Sequence, residues 1–139
     1  KSSMVGLVTG TIAGLASITP ASGSVTPIEA ILIGTFAGIA CQEMCSVVKN
    51  RFNIDDSLDV FAVHGVGGIF GTLMIGFFGY NSFITQLSGL VTVGIFTIIV
   101  TYALIKIVSL IAPLRVDEET ETNGLDLTVH GERAYDVNS

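Results

Sequence analysis

The chain is poor in charge. Positions 1 to 112 carry nine charged side chains: Lys1, Glu29, Glu43, Lys49, Arg51, Asp55, Asp56, Asp59 and Lys106. Charged residues make up 13% of the whole and hydrophobic ones 50%, with a mean hydropathy of +0.72. That balance argues against one soluble domain, although 139 residues would suit one. Cysteine is scarce too. Cys41 and Cys45 are too few for a disulfide framework and have no second ligand pair. At i, i+4 in an apolar run they read as small hydrophobes on one helix face. Basic residues number six against twelve acids, which argues against nucleic acid as a partner. Cofactor motifs are missing: Gly65, Gly67 and Gly68 have no strand before them, so they form no phosphate-binding loop. Neither His64 nor His130 has metal-ligand spacing, and no nucleophile–base pair is readable. No cofactor, metal or enzymatic activity is expected. Lys1-Ser2-Ser3 lacks the basic start and cleavage pattern of a signal peptide, and no lipidation motif is present.

What remains is a series of long apolar runs. They predict an all-α, polytopic transmembrane helix bundle with four spans at about 4–19, 27–48, 58–78 and 83–111. Together they form a membrane region over 1–112. The first span has Gly6, Gly10 and Gly14 four apart, and the second has Gly34 and Gly38. Such small-residue rows let membrane helices approach closely. Thr26-Pro27-Ile28-Glu29 reads as a capping box, with Pro27 as the first helical residue. Glu43 is within reach of Lys49 or Arg51. The third span, ~31 Å if helical, crosses a hydrocarbon core. Asp56 or Ser57 can cap it, and Asp56 and Asp59 at its start suit the helix dipole. The fourth, ~43 Å if helical, must tilt or project. Its Ile, Val and Thr suit a lipid-facing side, Lys106 can snorkel, and Pro113 stops it.

Charge also orients the spans. Lys1, Lys49, Arg51, Lys106 and Arg115 fall on one side, and the links Pro20 to Val25 and Gly79 to Ser82 carry no Lys or Arg. The positive-inside rule places the basic side, both termini and the tail in the cytoplasm.

The segment with chemistry is 55–79, DDSLDVFAVHGVGGIFGTLMIGFFG. It holds one ionisable group at membrane depth, His64. Val60 and His64 are i, i+4 and share a face, which Gly68 and Gly71 continue. A neutral imidazole both donates and accepts hydrogen bonds. That suits passing a small polar molecule or a proton along a narrow lumen. Ionisable residues inside spans are functional candidates, but a histidine bonded to a neighbouring helix fits equally well. Gly65, Gly67, Gly68 and Gly71 are expected to allow close packing.

The tail, 113–139, holds seven acids against Arg115 and Arg133. Leu125, Leu127, Val129 and Tyr135 alternate with turn-formers. That pattern exceeds what solubility requires and suggests docking on a cytoplasmic face in place of simple disorder.

Three stretches carry a family resemblance. DDSLDVFAVHGVGGIFGT resembles the tenth helix of the ammonium transporter (Amt/Mep/Rh) family. GLVTGTIAGLASITPASGSVTP resembles its eighth helix and the following link. LRVDEETETNGLDLTVHGERAY resembles the cytoplasmic region of the Amt branch. The likeness implies a homotrimer in the plasma membrane, with eleven helices and one pore per subunit. Ammonium is recruited outside, loses its proton and passes between two facing histidines. His64 matches the second of these, and Val60 a hydrophobic lining residue one turn earlier. Asp56 and Asp59 stand at the cytoplasmic start of that helix. The tail, through Arg115, Gly124, Asp126, Thr128, His130, Gly131, Glu132 and Tyr135, matches a regulatory region that docks partly on the next subunit. Thr128 matches a position phosphorylated in plant relatives, and a PII-type signalling protein blocks some prokaryotic members from the cytoplasm. The first histidine, the aromatic recruitment site and the gate belong to helices this chain does not contain. The expectation is therefore the last four helices and tail of an ammonium transporter. The alternatives are a non-transporting, membrane-anchored regulatory module and a piece inactive alone.

Overall fold

The structure, a computed structural model, describes residues 4–132. Lys1, Arg133 and Tyr135 lie outside them. The described residues are helical, with no strand among them. The chain divides into two compact units, Lys1–Gly94 and Ile95–Ser139, with the boundary inside one long helix.

In the first unit α1 spans Met4–Ile18 and tightens into a 3₁₀ turn at Thr19–Ala21. Helix α2, Pro27–Ser46, starts at the capping box: the Glu29 N–H donates to Thr26 Oγ1 at 3.5 Å and the Thr26 N–H to Glu29 Oε2 at 2.7 Å. It does not stop at the polar link but continues through a wide, π-type turn, Val47–Arg51. A second π-type turn, Phe61–Val66, leads into α3, Gly67–Phe77.

The third span is therefore shorter than its apolar run. It begins at Phe61, not near Leu58, because Asp59 has φ +54, a value no right-handed helix contains. Six plus eleven residues make about 25 Å at 1.5 Å per residue. The other three apolar helices, Met4–Ala21, Pro27–Arg51 and Phe83–Ser109, are each long and apolar enough to cross a membrane.

Three rows of small side chains meet in the interior. Helix α1 offers Ala13 and Ser17, and the 3₁₀ turn after it Ala21; α2 offers Ile33, Ala37 and Cys41; the third span offers Val63, Gly67 and Gly71. Ala13, Cys41 and Val63 pack as one cluster. Between membrane helices such contacts hold by close van der Waals packing, since lipid tails are as apolar as the side chains. The buried hydroxyl of Ser17 donates to the Ala13 carbonyl at 2.7 Å, so the seam carries no orphaned donor there.

Among the described residues, Gly10, Gly14, Gly34 and Gly38 of the predicted rows lie outside this seam. A Cβ built on Gly10, Gly14, Gly34 or Gly38 meets nothing within 4 Å. The alanine, serine and cysteine positions take the contact face instead. At the far end, Gly79 has φ +82 and turns the chain, while Gly76 lies against Phe83, its added Cβ only 2.6 Å from the Phe83 Cα.

Helix α4, Phe83–Ser109, has no buried residue and ends before the predicted Ile111. Beyond the unit boundary, Lys106 Nζ lies 5.5 Å from the Tyr102 ring centroid, a cation–π contact. In the tail, α5 spans Glu118–Asn123 and α6 Leu125–Thr128.

Candidate functional site

His64 sits inside the π-type turn, one residue beyond the buried Val63. Its side is exposed in the first unit. It shares with Val60 a groove of about 500 Å³ between α1 and the third span, walled by Val5, Val8 and Thr9. The predicted His64 face is corrected on one point. Gly71 does not continue it; it lies on the buried side with Gly67. The widened turn shifts the helical phase, so regular 3.6-residue spacing no longer carries from 64 to 71.

The four close-packing glycines also divide. At Gly71 an added Cβ would collide with the Ser17 carbonyl. At Gly67 it would stand 2.7 Å from Ser17 Oγ and 3.4 Å from Cys41 Sγ. At Gly65 it would meet only the Phe61 ring at 3.3 Å, and at Gly68 nothing within 4 Å. The Gly68 carbonyl accepts the Thr72 hydroxyl at 2.8 Å.

The start of the third span is organised by two carboxylates with separate tasks. Asp56 accepts the N–H groups of Val60 at 2.9 Å and Phe61 at 3.0 Å, satisfying donors that the helix leaves unpaired. Ser57 is no cap; its hydroxyl donates to Asp55 Oδ1 at 3.1 Å. Asp59 instead pairs with Lys49 Nζ at 2.8 Å. Of the two basic residues within reach of Glu43, Lys49 pairs with Asp59. Lys49, Asp59 and Cys45 line a polar cleft next to the groove, and Val5, Thr9 and Asp59 belong to both.

At the opposite end of α2, Tyr80 donates to Glu29 Oε2 at 2.7 Å. Nothing in the sequence signals this bond, which closes over 51 positions.

The second unit gathers most of the tail residues. Asp117 caps α5 by accepting the Thr120 N–H at 2.8 Å, which holds its carboxyl below the ordinary range. Arg115 donates twice to Glu121, at 2.9 and 2.6 Å, and lowers that carboxyl in the same way. Gly124, with φ +93, separates α5 from α6, and Thr128 Oγ1 donates back to its carbonyl at 2.8 Å. The Glu132 N–H donates to the Asp126 carbonyl at 2.9 Å and the His130 N–H to that of Leu125 at 3.2 Å. Gly131 takes φ +67.

Apolar spans, a small-residue seam and a lone imidazole on an open groove define a polytopic helical membrane protein. The model of the Ammonium Transporter Family matches residues 1–135, and the chain belongs to that family. It is 44% identical to an ammonium transporter of Bacillus subtilis, over 97% of this chain and 37% of that protein. It is 38% identical to a putative ammonium transporter of Methanothermobacter thermautotrophicus, over 97% of this chain and 37% of that protein. An ammonium transporter of Aquifex aeolicus is 36% identical, over 99% of this chain and 36% of its own length. The chain thus spans little more than a third of these curated relatives. No solved structure matches it.

Proposed function

We propose that the chain contributes one wall of a pore that conducts ammonium or ammonia across a membrane, and that it acts in transport, not in catalysis. The observation that carries this reading is the placement of His64. The imidazole is the one titratable side chain in the interior of the third span, and with Val60 it opens onto a groove, not into the helix seam. An imidazole there offers both a donor and an acceptor to a small polar solute. Apolar walls on either side disfavour a bare cation and favour a neutral molecule. The facing wall comes from chain outside these residues, in a homotrimer of eleven-helix subunits.

Basic residues at Lys49 and Arg51 support a cytoplasmic placement of the α2–α3 link, and hence of the tail. There α5 and α6 form a regulatory element for the neighbouring subunit and for a PII-type signalling protein.

The test is methylammonium uptake by the intact protein carrying His64→Ala. Uptake is expected to fall or change in selectivity while assembly persists. Unchanged uptake and selectivity would overturn the lumen assignment.

A further inference from the structure

We propose that Lys49 and Asp59 form a positioning pair that sets the rotation of His64 about its helix, so that the imidazole faces the groove. This rests on reading His64 as a lining residue. The ion pair joins two irregular turns. Lys49 lies within the wide turn that ends α2, and Asp59 stands two residues before the wide turn that carries His64. Such π-type turns are uncommon and concentrate at functional sites.

Asp59 is also one of two non-glycine residues with positive φ among the described residues. That conformation persists only where surroundings over-determine it. Three contacts do so. The Lys49 ammonium holds the carboxylate at 2.8 Å, with the Asp59 side chain only 17% exposed. The Asp59 N–H donates to the Asp56 carbonyl at 3.2 Å. The Asp59 carbonyl accepts the Val63 N–H at 2.8 Å, which links this backbone directly to the residue before His64. Asp56 meanwhile secures the Val60 and Phe61 N–H groups in the widened geometry.

A wide turn holds one residue more than an α turn. Were it to narrow, every residue before Gly67 would advance one position, a rotation of about 100°. His64 would leave the groove. The ordinary α-helix is the default, so something must hold the turn open. The pair sits where that restraint is needed, with Asp59 lining both the His64 groove and the Lys49 cleft.

The experiment uses the intact protein in liposomes, with uptake normalised to folded protein. Lys49→Gln is expected to lower the maximal methylammonium rate on the order of tenfold, as misplacement of a working group does, with KM within about twofold. Lys49→Arg, which keeps the charge, is expected to retain at least half the rate. Asp59→Asn keeps a residue tolerant of positive φ but loses the charge. It is expected to match Lys49→Gln, with the double variant no worse than either alone. Wild-type rates in Lys49→Gln overturn the proposal. So does equal impairment in Lys49→Arg, or a loss that vanishes on normalisation, which marks a general brace.

A second readout is independent of transport. His64→Cys, with Cys41 and Cys45 replaced by Ala, is labelled with a water-soluble maleimide. Labelling is expected to slow several-fold when Lys49→Gln is added, and an unchanged rate refutes the rotation. If the unmodified protein takes up no methylammonium, the transport reading fails while the labelling still decides the rotational one.

Discussion

Along the helix from Phe61 to Phe77, Val63, Gly67 and Gly71 lie against α1 and α2 with no room for an added methyl group at either glycine. On the other side Val60, His64 and Gly68 face a groove or open space. Both sides are rich in glycine, and the glycines do different work. On the packed side the missing Cβ lets two backbones touch, so Gly71 is fixed by a carbonyl that cannot move aside. On the open side the missing Cβ leaves an imidazole with little around it. The difference shows that glycine spacing alone does not identify a contact face; the neighbouring backbone does.

The largest expected effect breaks the packed side. Gly71→Ala drives a methyl group into the Ser17 carbonyl. A loss of about 3 kcal/mol is expected, at the upper end of overpacking, outweighing a helix-propensity gain of about 1 kcal/mol. Gly68→Ala, with only the propensity term, is expected to leave stability equal or slightly higher. Thermal unfolding in detergent checks the pair, and similar midpoints for the two variants would refute the division of faces.

A smaller effect sharpens the comparison. Gly67→Ala meets a side-chain oxygen, Ser17 Oγ, which is displaced more easily than a carbonyl. About 1 kcal/mol of destabilisation is expected. Adding Ser17→Ala is expected to recover most of it, because the hydroxyl that clashes is gone. Additive losses in that double variant would show that the clash lies elsewhere.

The smallest effect belongs to the exposed tail. Arg115 holds the Glu121 carboxyl below its ordinary 4.5, and the Thr120 N–H holds that of Asp117 below 3.8. Both groups are lowered in the folded state. Their contribution is therefore complete above those ordinary values and is lost as pH falls beneath them. Amide exchange in Glu118–Asn123, taken relative to the intrinsic rate at each pH, is expected to stay constant from neutral pH down to mild acidity and to accelerate below about pH 4. Solvent screening keeps the change slight. Acceleration already at neutral pH would contradict it.

What the sequence made legible was local. Thr26 and Glu29 are three residues apart, so the capping box could be read directly. The apolar runs located all four helices, since length and hydropathy need no partner. The wide turns could not be read, because a pattern of apolar residues does not distinguish i→i+5 from i→i+4 bonding. That is why Gly71 falls away from the His64 side; the late start of the third helix has a different cause, the left-handed backbone of Asp59, which apolar spacing does not reveal either. The Lys49–Asp59 pair escaped for a related reason. Its ten-residue separation includes a wide turn and a left-handed residue, which no regular helical spacing bridges. The bond from Tyr80 to Glu29 depends on where two helices end in space, which no pairwise spacing encodes.

That bond has a consequence when set beside the ion pair. Helix α2 and the third span run antiparallel and are fastened at both ends, by Glu29 with Tyr80 and by Lys49 with Asp59. In mechanical terms the hairpin is a closed frame, not two loose rods. Sliding one helix past the other by a single residue, about 1.5 Å, exceeds what either polar contact tolerates. Shear therefore strains both contacts at once, at opposite ends of the pair of helices.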